Sequence, residues 1–335
     1  MTPDRAPRRP NPSHGDRGGE SSRNAALMRW ATYAAVGTAS TLIVIKLVAW
    51  SLTGSLSLLS TLIDSVLDAA ASLLNLFAVR VALEPADHDH RFGHGKAEPL
   101  AGLAQAAFIG GSALFLIVEA ASRFLDPVPV TRSDVGIAVM VASIVLTLGL
   151  VAFQRHVVKR TRSVAISADS LHYTGDVLIN GSVIVSLLLV SLGGFTWADP
   201  AFALAIALYL LYTAWTILRT ALSLLMDKEF PEEDRLRILE IAREHGQVLD
   251  AHDLRTRSSG PQAFIQLHLE MDRDLPLWKA HAIADQVEHR IRRAFPDSEV
   301  LIHQDPSGID EHHDQIVYDD GLEPDPADSA RPASA

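Results

Sequence analysis

The chain has 335 residues and no cysteine. Without thiols it can form no disulfide, no Cys-ligated zinc or iron–sulfur centre, no thiolate nucleophile and no CxxC redox motif. Positive charge is also scarce, because 29 Lys and Arg stand against 40 Asp and Glu, a net charge of -11. Nucleic acid is therefore excluded as an expected partner, since affinity for it depends on basic contacts to phosphates.

The two ends of the chain lack a regular pattern of apolar residues. Residues 1–24 are rich in Pro, Gly, Ser and Arg and have no apolar core like that of a signal peptide. Residues 307–335 hold eight acidic residues against one Arg. We predict a disordered N-terminal arm over residues 1–24 and a disordered acidic tail over residues 307–335.

Six apolar segments follow the arm, and each approaches or exceeds the roughly 20 residues that a helix needs to cross about 30 Å of hydrocarbon. They cover residues 26–50, 55–83, 98–122, 134–154, 168–193 and 199–225. We therefore predict a polytopic α-helical membrane domain over residues 25–227, with six transmembrane helices surrounded by lipid.

Basic residues are concentrated in the loops on one side of these segments. The loop between segments 2 and 3 carries Arg80, Arg91 and Lys96, and the loop between segments 4 and 5 carries four more Lys or Arg. The loops on the other side carry no excess of Lys and Arg. Because basic loops remain on the cytoplasmic side, we predict that both termini are cytoplasmic.

The chain becomes polar after Asp227. Apolar residues at helical and then alternating spacing predict the order helix, strand, strand, helix, strand over residues 228–306. This order predicts a small soluble α+β domain.

Two of the apolar segments carry polar residues on one side, spaced three or four residues apart. They are Ser60, Asp64, Asp68 and Ser72 in segment 2, and Asp169, His172, Asp176 and Asn180 in segment 5. A single carboxylate in the membrane could be explained by hydrogen bonds between helices. Carboxylates at mid-membrane each cost about 2.5–3.5 kcal/mol, however, and no Lys or Arg is expected at the matching depth to neutralise a cluster of them.

A divalent cation or protons must then neutralise the cluster. Carboxylate and imidazole ligands suit Zn²⁺, Fe²⁺, Mn²⁺, Co²⁺ or Cd²⁺, and four side chains fit a tetrahedral site. Without a metal the carboxylates repel one another and hold protons, so a metal has to displace those protons. This competition is a physical basis for exchange of metal against protons. The side chains we assign to this site are Asp64, Asp68, His172 and Asp176.

A second group of polar residues lies in the loop between segments 2 and 3. Three His and two Asp fall within the eight residues 87–94. Either the loop is simply solvated, or it holds a metal. For a metal site we select Asp87, His90 and His94, and the choice among Asp87, His88 and Asp89 stays open.

A third group is spread over the soluble domain. Its members lie at strand or helix positions that point away from the apolar core and can converge on a metal. They are His252, His268, His281, His303 and Asp305. Each could also be an ordinary surface residue.

These motifs together resemble those of the cation diffusion facilitator family, within its bacterial ferrous-iron and zinc efflux branch. The matching stretches are Asp64-x3-Asp68, His172-x3-Asp176, Phe92-Gly93-His94-Gly95-Lys96 and Ala251-His252-Asp253-Leu254-Arg255-Thr256-Arg257. The resemblance covers residues 25–306, and it implies a homodimer in the cell inner membrane with a cytoplasmic ferredoxin-like domain.

The resemblance also implies a role for each matching residue. The resemblance makes the residues of segments 2 and 5, Asp64, Asp68, His172 and Asp176, the transport site. It makes the three loop residues a second metal site, and the five residues of the soluble domain a binuclear metal site at the dimer interface. Lys96 and Asp227 match a salt bridge that ties the membrane domain to the cytoplasmic domain. Leu171 matches a hydrophobic gate.

The expected function is proton-coupled antiport that exports divalent metal cations, with Zn²⁺ as the first candidate for substrate and structural ligand, followed by Fe²⁺. Two other classes of function remain open. A membrane-anchored metal sensor would use only the soluble His cluster. A membrane-embedded metallohydrolase could use the same ligands, but the sequence has no HExxH motif and no identifiable nucleophile beside them. We therefore expect a protein that is not an enzyme.

Overall fold

The computed structural model describes residues 17–54, 56–125, 134–193, 197–260 and 262–308. Residues 1–16 of the predicted arm and residues 309–335 of the predicted tail lie outside the described residues. The described part of the chain forms eight helices and one three-stranded sheet, in the order that the sequence predicts.

Six long helices form the membrane domain. They are α1 (Arg17–Thr53), α2 (Leu56–Ala82), α3 (Ala97–Leu125), α4 (Asp134–Thr161), α5 (Val164–Gly193) and α6 (Ala198–Leu225). Among the described residues, five of these helices are long and apolar enough to cross a membrane, namely α1, α2, α3, α4 and α6. Helix α5 carries Asp169, His172 and Asp176 within an otherwise apolar sequence.

α1 begins earlier than the sequence predicts. Residues 17–24, which we expected in the disordered arm, are helical. No proline follows Pro12 before the apolar part of α1, so every residue of this extension has the backbone N–H that a helix needs. Once a helix has formed, adding further turns costs little, which explains the extension beyond the apolar segment.

The cytoplasmic domain consists of α7 (Glu232–Arg243), β1 (Val248–Ser259), β2 (Gln262–Met271), α8 (Leu277–Ala294) and β3 (Ser298–Pro306). The sheet has the order β1-β2-β3, with β1 antiparallel and β3 parallel to β2. Both helices cover one face of the sheet, where Leu267 and Leu269 of β2 pack with Ile238 of α7 and Val287 of α8. Successive side chains of a strand point to opposite faces, so the alternate residues of β2 and β3 lie on the uncovered face.

The membrane and cytoplasmic domains meet through charged and aromatic side chains. The two residues of the predicted ion pair meet, because Lys96 Nζ, immediately before α3, lies 3.0 Å from Asp227 Oδ1, just after α6. Arg257 of β1 lies 3.6 Å from the same carboxylate oxygen. Its guanidinium carbon also lies 4.9 Å from the ring centre of Phe92 and 4.6 Å from that of Phe264. Cation–π contacts of this kind stabilise the junction.

Backbone contact at Gly95 brings the two domains still closer. A Cβ atom at Gly95 would lie 2.1 Å from the carbonyl oxygen of Ser259, the last residue of β1. Only glycine can occupy this position without moving one domain away from the other.

We predict that Gly95→Ala destabilises the junction by about 1–3 kcal/mol, the usual cost of overpacking a close contact. The measurement is the apparent Tm of the purified protein in detergent. Gly111→Ala is the matched control, since a Cβ at Gly111 of α3 meets nothing within 4 Å. An unchanged Tm for Gly95→Ala would contradict a close contact between the domains.

Candidate metal centres

Helices α2 and α5 bring three of the four predicted transport-site residues together. Ligand atoms of Asp68, His172 and Asp176 all lie within 4.8 Å of one another. His172 Nε2 is 3.1 Å from Asp68 Oδ1 and 4.0 Å from Asp176 Oδ2. The arrangement follows from helix geometry, because residues four apart lie on the same side of a helix.

Asp64 lies one turn from Asp68 on α2 but outside this group of three, and it is exposed in the single chain. Lys46 of α1 lies close to the same part of α2, where its Nζ donates a hydrogen bond to Ser65 Oγ at 2.6 Å. Our expectation that no Lys or Arg stands at the depth of the carboxylates is therefore wrong. The sequence shows Lys46 within an apolar segment but does not show how far α1 and α2 are shifted along each other.

Asp169 is fully buried one turn before His172 and is not a member of the group of three. Its two oxygens accept hydrogen bonds from Gln105 Nε2 of α3 at 3.0 Å and from Gln154 Nε2 of α4 at 2.6 Å. Amide donors from two further helices thus compensate for the burial of this carboxylate. Sequence reasoning placed Asp169 in the polar stripe and missed both glutamines.

The residues on either side of His172 support the site from within the protein. Tyr173 is buried, and its hydroxyl lies 2.7 Å from Ser72 Oγ, which links α5 to α2 one turn after Asp68. Leu171, the predicted gate residue, packs against the apolar cluster of α3 and α6 that includes Ile109 and Leu210.

The loop between α2 and α3 brings together Asp87, His90 and His94, whose ligand atoms lie within 4.8 Å of one another. Asp87 Oδ1 is 3.4 Å from His90 Nδ1, and Asp87 Oδ2 is 3.4 Å from His94 Nε2. His88 and Asp89 lie outside the group. The loop can turn back on itself because Gly93 adopts a φ of 76°.

Backbone donors hold Asp87 in its charged form. The backbone N–H of His90 donates to Asp87 Oδ1 at 2.6 Å, and this bond lowers the pKa of the exposed carboxyl below its usual value. A second hydrogen bond comes from the backbone N–H of Asp89 at 2.9 Å. A carboxylate that stays ionised is a ready metal ligand.

The uncovered face of the cytoplasmic sheet carries the third cluster. His252, His268 and His303 follow one another across neighbouring strands in the pairing register. Asp305 Oδ2 lies 2.9 Å from His268 Nδ1 and 3.4 Å from His252 Nε2. His303 Nδ1 is 3.3 Å from His268 Nδ1 and 3.2 Å from Asp305 Oδ1. Four of the five predicted residues therefore converge in one chain.

His281 is the fifth predicted residue, and a single chain does not bring it to the cluster. It lies on α8, which covers the opposite face of the sheet; its side chain is 67% exposed and lies 3.6 Å from Asp285. Asp253, which sequence reasoning missed, has a carboxylate oxygen 3.6 Å from His268 Nε2. The irregular pairing of β1 after His252 and the φ of 45° at Asp253 turn it toward this face.

All three clusters combine carboxylate oxygens with imidazole nitrogens. Divalent transition metals accept this donor set, and the cluster on α2 and α5 lies among membrane-spanning helices. The arrangement fits the binding of a metal cation.

Comparison with known proteins shows the family of the chain. A family model described as the cation efflux transmembrane domain matches residues 32–226, and another described as the cytoplasmic domain of cation efflux proteins matches residues 230–307. The cation-efflux pump FieF of Klebsiella pneumoniae is 50% identical over 285 residues, covering 84% of this chain and 94% of that protein. FieF of Serratia proteamaculans is also 50% identical, covering 85% and 95%.

A solved structure of the zinc form of the transporter CzrB is 36% identical and covers 25% of this chain and 98% of its own, with a TM-score of 0.24. The transmembrane family model alone spans more than half of the chain, and the pumps match most of its length. The chain therefore belongs to the cation efflux family, as a multi-pass inner-membrane transporter of divalent metal cations and not an enzyme.

Proposed function

We propose that this protein exports Zn²⁺ and Fe²⁺ from the cytoplasm in exchange for protons, by alternating access of one membrane site. Cd²⁺, Co²⁺ and Mn²⁺ fit the same ligands. The observation that carries the proposal is the convergence of Asp68, His172 and Asp176 between α2 and α5. Asp64, one turn along α2, completes the proposed transport site by a small movement of that helix.

The proton coupling follows from the chemistry of these ligands. Zn²⁺ binds deprotonated carboxylates and neutral imidazole, so each metal that enters releases protons, and protons that enter from outside displace the metal. Packing of α5 against both α3 and α6 lets a shift of those helices expose the site to either side. Both termini are proposed to lie in the cytoplasm, on the side of the basic loops.

The cytoplasmic domain is proposed to hold two metal ions at the interface of a homodimer. His252, His268, His303 and Asp305 supply ligands from one chain. Because His281 lies away from them, its predicted place in this site requires a second copy of the chain. Metal on this face would then stabilise the dimer by mass action.

We expect Asp176→Asn to reduce Zn²⁺ transport by at least about 100-fold, because the amide keeps the size of the side chain but is a far weaker metal ligand. The assay is initial Zn²⁺ uptake into proteoliposomes driven by a pH gradient. Asp274→Asn, the same change on an exposed turn before α8, is the control and should transport normally. Uptake by Asp176→Asn at the unmodified rate would overturn the site assignment.

The same assay distinguishes the other two functions. A metal sensor or a metallohydrolase would show no pH-driven uptake of Zn²⁺ by the unmodified protein. Repeating the measurement with Fe²⁺, Mn²⁺ and Cd²⁺ then ranks the substrates.

His268→Ala should weaken the tightening of the dimer by Zn²⁺, since His268 lies between His252, His303 and Asp305. The measurement is the dimer dissociation constant in detergent, with Zn²⁺ and with a chelator. We expect the ratio of the two constants to fall by about tenfold or more, because losing even a residue that only orients a ligand weakens metal binding by about 10–100-fold. His289→Ala, on the exposed side of α8, should leave the ratio unchanged. Equal ratios for the two variants would contradict this role of the cluster.

A further inference from the structure

Lys46 is a charged residue in the apolar part of α1 that the proposed mechanism does not use. Its Nζ donates hydrogen bonds to the carbonyl oxygen of Thr61 at 3.0 Å and to Ser65 Oγ at 2.6 Å. Both acceptors lie on α2, one turn apart, and Ser65 is next to Asp64. The ammonium group is therefore attached to the helix that supplies two proposed metal ligands.

Lys46 is held near the carboxylates without pairing with them. Among the described residues, no carboxylate oxygen lies within 4.0 Å of its Nζ, although its charge interacts with Asp68, Asp176 and Asp64 through space. The acceptors on α2 thus fix the ammonium at a distance. Lys46 therefore does not occupy the carboxylate oxygens that a metal would use.

With His172 neutral, the charges of Asp64, Asp68, Asp176 and Lys46 balance when one divalent cation is bound. Three carboxylates and one ammonium leave two negative charges, which one divalent cation neutralises. Without Lys46, the metal-bound site would keep one negative charge among apolar helices. A fixed positive charge near a cation site weakens cation binding, and it does so more strongly where water is scarce.

We propose that Lys46 is a resident counter-cation that sets the affinity of the transport site for divalent metal and so allows the metal to leave. This inference rests on the proposed function. Lys46 acts through the electric field of its charge at the ligands and does not itself bind the metal. Its hydrogen bonds to α2 determine how much of that field the ligands experience.

Two substitutions should change the KM for Zn²⁺ in opposite directions. Lys46→Met keeps the length of the side chain and removes the charge, so we expect KM to fall by about tenfold. The maximal rate should fall as well, because a metal ion that is bound more tightly leaves the site more slowly. Ser65→Ala leaves the charge and removes one acceptor, so the ammonium can approach the carboxylates and compete with Zn²⁺, and KM should rise.

The experiment measures initial rates of Zn²⁺ uptake into proteoliposomes over a range of Zn²⁺ concentrations. Lys46→Arg should restore KM to within about threefold of the unmodified value, since the charge is retained. Lys159→Met is the control, because it removes one exposed positive charge near the end of α4 and should change neither KM nor the maximal rate. If the two substitutions acted only by loosening the packing, Lys46→Met and Ser65→Ala would shift KM in the same direction.

The proposal is overturned if Lys46→Met leaves KM unchanged or raises it, or if Ser65→Ala lowers it. If the Lys46→Met protein does not fold, the KM values of Ser65→Ala and Lys46→Arg still test the proposal. Asp176→Asn in the same assay separates this proposal from the proposed function. If Asp176→Asn abolishes uptake while KM is insensitive to charge at Lys46, only the role of Lys46 fails.

Discussion

Carboxylates facing one another between membrane helices require positive charge, and this requirement organises the membrane domain. Asp68 and Asp176 lie around His172, partly buried among apolar helices, where an uncompensated carboxylate is costly. A divalent cation, protons and the nearby Lys46 are the available sources of compensation. These three positive charges compete for the same carboxylates. Because of this competition, a transported ion is bound strongly enough to be selected and still weakly enough to be released.

The surrounding helices determine where in the membrane domain metal and protons compete. Buried Asp169 is compensated by neutral amide donors from α3 and α4, so it needs no cation and leaves the transport site as the place where a metal is required. Tyr173 and Ser72 connect α5 to α2 beside the ligands. At the cytoplasmic end, Arg257 between Phe92 and Phe264 joins the loop cluster to the sheet that bears the third cluster. All three clusters thus belong to one connected framework.

Much of this framework could be predicted because helices and strands have fixed periods. Spacing of four residues placed His172 and Asp176 on one side of α5, and alternation placed His268 opposite Leu267 and Leu269. Contacts between elements distant in sequence could not be predicted. The sequence does not specify how α1 slides along α2, so the proximity of Lys46 to Ser65 was missed, and irregular strand pairing hid Asp253.

The central claim is that the substrate metal binds among Asp68, His172 and Asp176. The most direct measurement is a cryo-electron microscopy structure of the full chain in lipid nanodiscs with Zn²⁺. We expect density for one metal ion between these three side chains, and its loss in Asp176→Asn while the cytoplasmic metal density stays. Zn²⁺ density confined to the loop and cytoplasmic clusters, in a preparation that transports Zn²⁺, would contradict the account.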